Sequence, residues 1–135
     1  GRMKISAGYK PGNMAAFMYG STKRKKKEEG EREMTTEQKI QYIADHYGYE
    51  PQSRQLIEEM AELTVAINKA WRKTFDTVDR IPNMEDEERI EEEIADVEIM
   101  ILQIKYLLGV GEGELSQIIE SKLNRQIERI KNAVH

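Results

Sequence analysis

Apolar residues recur every three or four positions in four separate stretches of this chain. That spacing puts them on one face of an α-helix. In residues 36–47 the stripe is Ile40, Ile43, Ala44 and Tyr47, with Thr36 where an N-cap belongs. Gly48-Tyr49-Glu50-Pro51 is expected to end this helix. The pattern predicts a long helix over 52–74, with Leu56, Met60, Leu63, Ile67, Ala70 and Trp71 inside. Thr74–Asn83 contains Asp76, Asp79 and Pro82 and reads as a loop. A second long helix is predicted over 84–108, with Ile90, Ile94, Val97, Ile101, Ile104 and Leu108 on one side, stopped by Gly109, Gly111 and Gly113. A last helix over 114–133 carries Leu115, Ile119, Leu123, Ile127 and Ile130. No internal repeat stands out.

Four such helices predict an all-α fold, a four-helix bundle formed by residues 34–135. A core of that size is small, and its long helices are rich in Ile and Leu. Pairing with a second copy buries more of that surface, so a homodimer or homotetramer is expected.

Residues 1–33 lack the period. They hold Gly1, Gly8, Gly12, Gly20 and Gly30 and the run Lys23-Arg24-Lys25-Lys26-Lys27. The segment reads as a basic extension outside the core, and Gly1-Arg2-Met3 as a remnant of an expression vector. Its nine Lys or Arg against four Glu give +5, so the remaining 12 basic and 21 acidic residues carry −9. An acidic body argues against a general nucleic-acid-binding domain, and the Lys run reads as a solvated tail, with a phosphate or nucleic-acid patch as the alternative.

With no cysteine in the chain, disulfides, thiolate nucleophiles and zinc–thiolate sites are excluded. No apolar run is long enough to cross a membrane and none reads as a signal peptide, so a cytoplasmic location is expected.

The candidate chemistry lies in two acidic clusters, Glu58-Glu59-Met60-Ala61-Glu62 and Glu93-Ile94-Ala95-Asp96. On a helical wheel Glu93 falls within the apolar arc beside Val97, Met100 and Ile104, and Asp96 falls at its edge. Glu59 borders the arc of the preceding helix, and Glu62 and Glu58 lie further round. Residues three or four apart share a face, so Glu59 with Glu62 and Glu93 with Asp96 are pairs that meet if the two helices run antiparallel. Burying a carboxylate is costly unless a cation pairs with it. An oxygen-only donor set selects a hard ion, Mg2+ with Mn2+ as the alternative. A di-iron bundle needs Glu-x-x-His, and neither His46 nor His135 completes that pattern. Glu85, Glu87, Glu88, Glu91 and Glu92 read as solvated, and His46 as structural.

Glu-Glu-x-x-Glu followed by Glu-x-x-Asp on the next helix resembles the all-α nucleoside triphosphate pyrophosphohydrolases. These include the MazG-like proteins, the dimeric dUTPases and the phosphoribosyl-ATP pyrophosphohydrolases. The match runs over about residues 36–133, through Gln55-Leu56-Ile57-Glu58-Glu59-Met60-Ala61-Glu62-Leu63 and Glu93-Ile94-Ala95-Asp96-Val97. The spacing between the clusters is longer than in that family. The resemblance implies hydrolysis of an NTP or dNTP between its α- and β-phosphates, yielding a monophosphate and pyrophosphate.

It further implies that Glu59, Glu62, Glu93 and Asp96 hold the metal. Glu58 and Glu59 carry the catalytic role, with Glu58 orienting or deprotonating the attacking water or serving as an additional ligand. Lys122 and Arg125, in Lys122-Leu123-Asn124-Arg125, match the basic segment that follows the second acidic motif. They read as phosphate contacts or as surface cations. Lys69 and Lys73 meet the phosphates or neutralise acidic neighbours, and Trp71 stacks on a base or packs in the core. The competing reading is a non-catalytic helical interaction module whose acidic clusters pair with Lys and Arg of a protein partner.

Overall fold

In the computed structural model, residues 32–74 and 78–133 are described. They form α1 (Thr36–Tyr47), α2 (Tyr49–Lys73), α3 (Met84–Leu108) and α4 (Glu112–Ala133). Among the described residues there is no strand. The basic run Lys23–Lys27, with Asp76 and His135, lies outside them.

Local chemistry fixes the helix ends. The N-cap of α1 is Thr35, one residue before the expected Thr36. Its side chain accepts from the Gln38 amide (3.1 Å), and Gln38 Oε1 accepts from the Thr35 amide (2.9 Å). A threonine followed three residues later by glutamine makes this reciprocal cap. Gly48, at φ 83° and ψ 176°, ends α1 and starts α2 at once. Pro51 therefore does not lie in a break. It sits in the first turn of α2, where a missing N–H costs nothing. Asn83 caps α3 by accepting from the Asp86 amide at 2.8 Å. Gly109 closes α3 at φ 64°, and the Val110 amide donates back to the Lys105 carbonyl at 2.9 Å. That left-handed position favours glycine.

The packing centres on α3, which runs along α2 and also meets α1. Both long helices present a seam with alternating steps of four and three: Gln52, Leu56, Glu59, Leu63, Ala66 and Ala70 on α2, and Asp86, Ile90, Glu93, Val97, Met100, Ile104 and Leu107 on α3. The period is that of two helices packed side by side over many turns. Ile40 and Ala44 of α1 are buried with Ala66, Ala70, Val97, Met100 and Leu107. Tyr106 ties α3 to α1 by donating its hydroxyl to Asp45 Oδ2 at 2.8 Å.

The fourth helix departs from expectation. It packs against none of the other three, and none of its residues is buried. Its link to α3 is the Lys105–Glu112 ion pair at 2.6 Å, beside the Gly109 turn. Within one chain the packed unit therefore has three helices rather than four. Ile118, Ile119, Leu123, Ile127 and Ile130 form an open stripe. Tyr47, Met60, Ile67, Ile94 and Ile101, expected inside, are exposed as well. Of the residues expected inside, Ile40, Ala44, Ala70 and Val97 are buried, while Ala66 and Leu107 are buried in place of several others, because α2 and α3 turn a different edge of each stripe toward one another.

Gly109→Ala should cost about 1 kcal/mol, the penalty of forcing a side chain into the left-handed region. Urea denaturation followed by circular dichroism measures this. An unchanged midpoint would mean that the α3–α4 turn is not held in this geometry.

Candidate metal centre

Antiparallel packing of α2 and α3 decides which carboxylates meet. Gln52 donates from Nε2 to Gln103 Oε1 at 2.6 Å. A step of seven along α2 is matched by a step of seven back along α3, so Glu59 comes level with Asp96, and three residues further Glu62 comes level with Glu93.

One oxygen from each of Glu59, Glu93 and Asp96 lies within 4.8 Å of the others, close enough for a single ion to reach all three. Glu59 and Glu93 are half-buried and Asp96 is exposed, so the cluster opens to solvent on one side. Glu59 Oε2 and Glu93 Oε2 are both buried without a hydrogen-bond partner. Two orphaned anionic oxygens beside a third carboxylate fit a cation, because nothing else at hand compensates their desolvation. Among the described residues no Lys or Arg forms an ion pair with Glu59, Glu62, Glu93 or Asp96. The all-oxygen donor set suits a hard divalent ion.

Glu62 is exposed at the edge of this cluster. Its carboxyl is pushed above the ordinary value of 4.5, first by the charge of Glu59 and then by Glu93. Desolvation, a hydrogen bond with Glu59 and the charge of Glu58 add to the shift. Like charges this close oppose ionisation of the last member. The four carboxylates expected to act together are thus neighbours, three of them in reach of one point and Glu62 coupled to them.

An open groove of about 330 Å³ runs from the carboxylates along the α2–α3 face. Its walls are Glu58, Ala61, Glu62, Val65, Ala66 and Lys69 of α2 with Arg89 and Glu93 of α3. The alanines keep the wall low, so the acidic end and the cationic end share one channel. Lys69 lies seven residues beyond Glu62, about 10 Å along the axis, and Arg89 about 6 Å from Glu93 in the same direction. Among the described residues neither cation forms an ion pair.

The remaining expected contacts are elsewhere. Lys73 donates to Asp86 Oδ1 at 2.9 Å, which commits it to a carboxylate that is only 5% exposed. Trp71 is 45% exposed rather than in the core, with the Arg80 guanidinium 5.5 Å above its ring. Lys122 and Arg125 lie on α4, exposed and away from the groove of their own chain. Glu85, Glu87, Glu88, Glu91 and Glu92 are solvated as expected. His46 is exposed and meets Tyr47 edge-on at 4.7 Å between ring centroids.

Two contributors went unnoticed in the sequence. Gln55 donates to Glu59 Oε1 at 2.8 Å, which turns the other oxygen of Glu59 toward the cluster. Arg89 lines the groove. Each stands four residues before an acidic residue of the cluster, the spacing of side chains that meet on one helix face.

Comparison of the chain with family models, with curated proteins and with solved structures returns no match.

The raised pKa of Glu62 sets a pH dependence. A group whose folded value is raised contributes stability below its unfolded value, and that contribution is lost as pH rises through the folded value. Glu62→Gln should therefore raise the urea midpoint of the metal-free protein at neutral pH, and the gain should vanish as pH falls to about 4.5. A gain that stays constant over this range would show that charge repulsion at the cluster is not its source.

Proposed function

We propose that this protein is a Mg2+-dependent nucleotide pyrophosphohydrolase that cleaves an NTP or dNTP between the α- and β-phosphates. The observation that carries the reading is the pair of buried, unpartnered oxygens of Glu59 and Glu93 beside Asp96. Glu59, Glu62, Glu93 and Asp96 are the ligands of the ion, with Mn2+ as an alternative to Mg2+. When bound, the ion screens the carboxylates from the polyphosphate and stabilises charge on the departing pyrophosphate.

The groove gives the substrate a direction. Its acidic end takes the α-phosphate side through the ion, while Lys69 and Arg89 face the leaving pyrophosphate. Glu58, on the groove wall beside the cluster, orients the attacking water or accepts its proton. Attack at the α-phosphorus forms the new P–O bond and breaks the bond to the bridging oxygen. Pyrophosphate leaves with that oxygen. The resemblance to MazG-like proteins supports the same ligand set, and the geometry favours Lys69 over Lys73 as the lysine that meets phosphate.

The assembly belongs to the same proposal. The bare stripe of α4 and the exposed apolar residues of α2 and α3 favour a homodimer or homotetramer, in which Lys122 and Arg125 approach the groove of a second copy. Trp71, 45% exposed, is the side chain assigned to stack on the base. The alternative, a non-catalytic interaction module whose acidic clusters pair with Lys and Arg of a protein partner, is less well supported, because Glu59 Oε2 and Glu93 Oε2 are buried, where a small ion reaches more readily than side chains of a second protein.

Incubation with a panel of NTPs and dNTPs plus Mg2+ should release pyrophosphate. Glu93→Gln should lower turnover by about two orders of magnitude or more, since ligand loss removes ion and substrate together, while helical content is kept. Inactivity of the parent protein across the whole panel, or full activity of Glu93→Gln, would count against the reading.

A further inference from the structure

The aliphatic part of the α2–α3 seam does not fix its own register. Leu56, Leu63 and Ala70 repeat every seven residues on α2, as do Ile90, Val97 and Ile104 on α3. A slip of seven residues brings aliphatic side chains opposite aliphatic side chains again. The same slip moves Glu59 two turns away from Asp96 and disperses the cluster. Repulsion among Glu59, Glu62, Glu93 and Asp96 favours that dispersal whenever no cation is bound.

Something other than apolar packing must hold the observed register. Two polar contacts bracket the carboxylates. At the far end Lys73, with its side chain 58% exposed, meets the nearly buried carboxylate of Asp86. At the near end Gln52 and Gln103 are both buried, with Gln103 1% exposed. Gln52 Nε2 donates to Gln103 Oε1, and Gln103 Nε2 reaches Met100 Sδ at 3.7 Å. A slip of seven parts the two amides: in one direction Gln52 passes the end of α3 and Gln103 comes level with Glu59, in the other Gln103 passes the start of α2 and Gln52 comes level with Asp96. A buried polar contact of this kind selects one alignment at some cost in stability.

We propose that Gln52 and Gln103 are positioning residues for the carboxylate cluster: their mutual hydrogen bond locks α2 against α3 in the alignment that brings Glu59 level with Asp96. The consequence for cation binding rests on the metal-site reading above, but the lock itself does not. It acts on the metal-free protein, where repulsion is unscreened, and keeps the site assembled before an ion arrives.

The chain has no cysteine, so a label pair reads the register directly. Thr64 and Glu91 are exposed, lie on facing helices and do not line the groove. Nitroxide labels at Thr64→Cys and Glu91→Cys, in the full chain diluted with unlabelled protein, give a distance by pulsed electron resonance. The metal-free parent should show one narrow distance. Adding Gln52→Met and Gln103→Met, which keep side-chain length and remove the hydrogen bond, should produce a second population at longer distance, from an axial slip of two turns, about 10 Å along the helices. The thermal midpoint should be unchanged or higher, and Mn2+ affinity should fall about tenfold or more. Gln52→Leu with Gln103→Leu repeats the test with a different shape. A single unchanged distance in both folded double variants overturns the lock. Failure of the parent to bind Mn2+ would instead overturn the metal-site reading and leave the distance result to decide the lock on its own.

Discussion

Mutual repulsion among carboxylates at a helix–helix seam is the constraint on which the rest of this molecule depends. Glu59 and Glu93 occupy seam positions whose period otherwise calls for aliphatic side chains, and each turns an oxygen inward without a partner. Glu62 registers that repulsion in its raised pKa. Such a cluster opposes the packing that creates it unless cation binding or a compensating contact holds it together. The Gln52–Gln103 hydrogen bond, the Gln55–Glu59 hydrogen bond and the Lys73–Asp86 pair all lie along the same seam. They hold the carboxylates in place from three sides.

The apolar balance points the same way, toward a protein finished by what binds it. The core of one chain is seven hydrophobic residues, three of them alanines. That is little for a domain with 25-residue helices, and an entire fourth helix remains bare. Small cores are commonly completed by association. Under the proposed association, a second copy laid on α4 would cover the stripe from Ile118 to Ile130 and would bring cations of that helix toward a groove that already has Lys69 and Arg89. Proposed cation binding and association would then stabilise the same seam from opposite sides, one by neutralising it and one by burying its outer face.

Much of this was legible in the sequence, because helix period and caps are local. The bounds of α1 and α3 matched expectation, and α2 and α4 began only a few residues early. Glu93 stood out because it interrupts an aliphatic arc, and that anomaly led to the cluster. What was not legible depended on neighbours from distant sequence. Lys69 and Lys73 share a stripe, and only the position of Asp86 shows that Lys73 is already taken. Asp86 itself hid in an acidic run whose other members are solvated. Arg89 was masked by the same run. The stripe on α4 was legible, but not that α1, α2 and α3 leave it uncovered.

Diffraction from crystals grown with Mn2+, using its anomalous signal, tests the central claim most directly. The account predicts a single strong group of peaks between α2 and α3, bonded to oxygens of Glu59, Glu93 and Asp96 with Glu62 alongside. Absence of any peak there, with the carboxylates instead paired to Lys or Arg of the same or another chain, would contradict it.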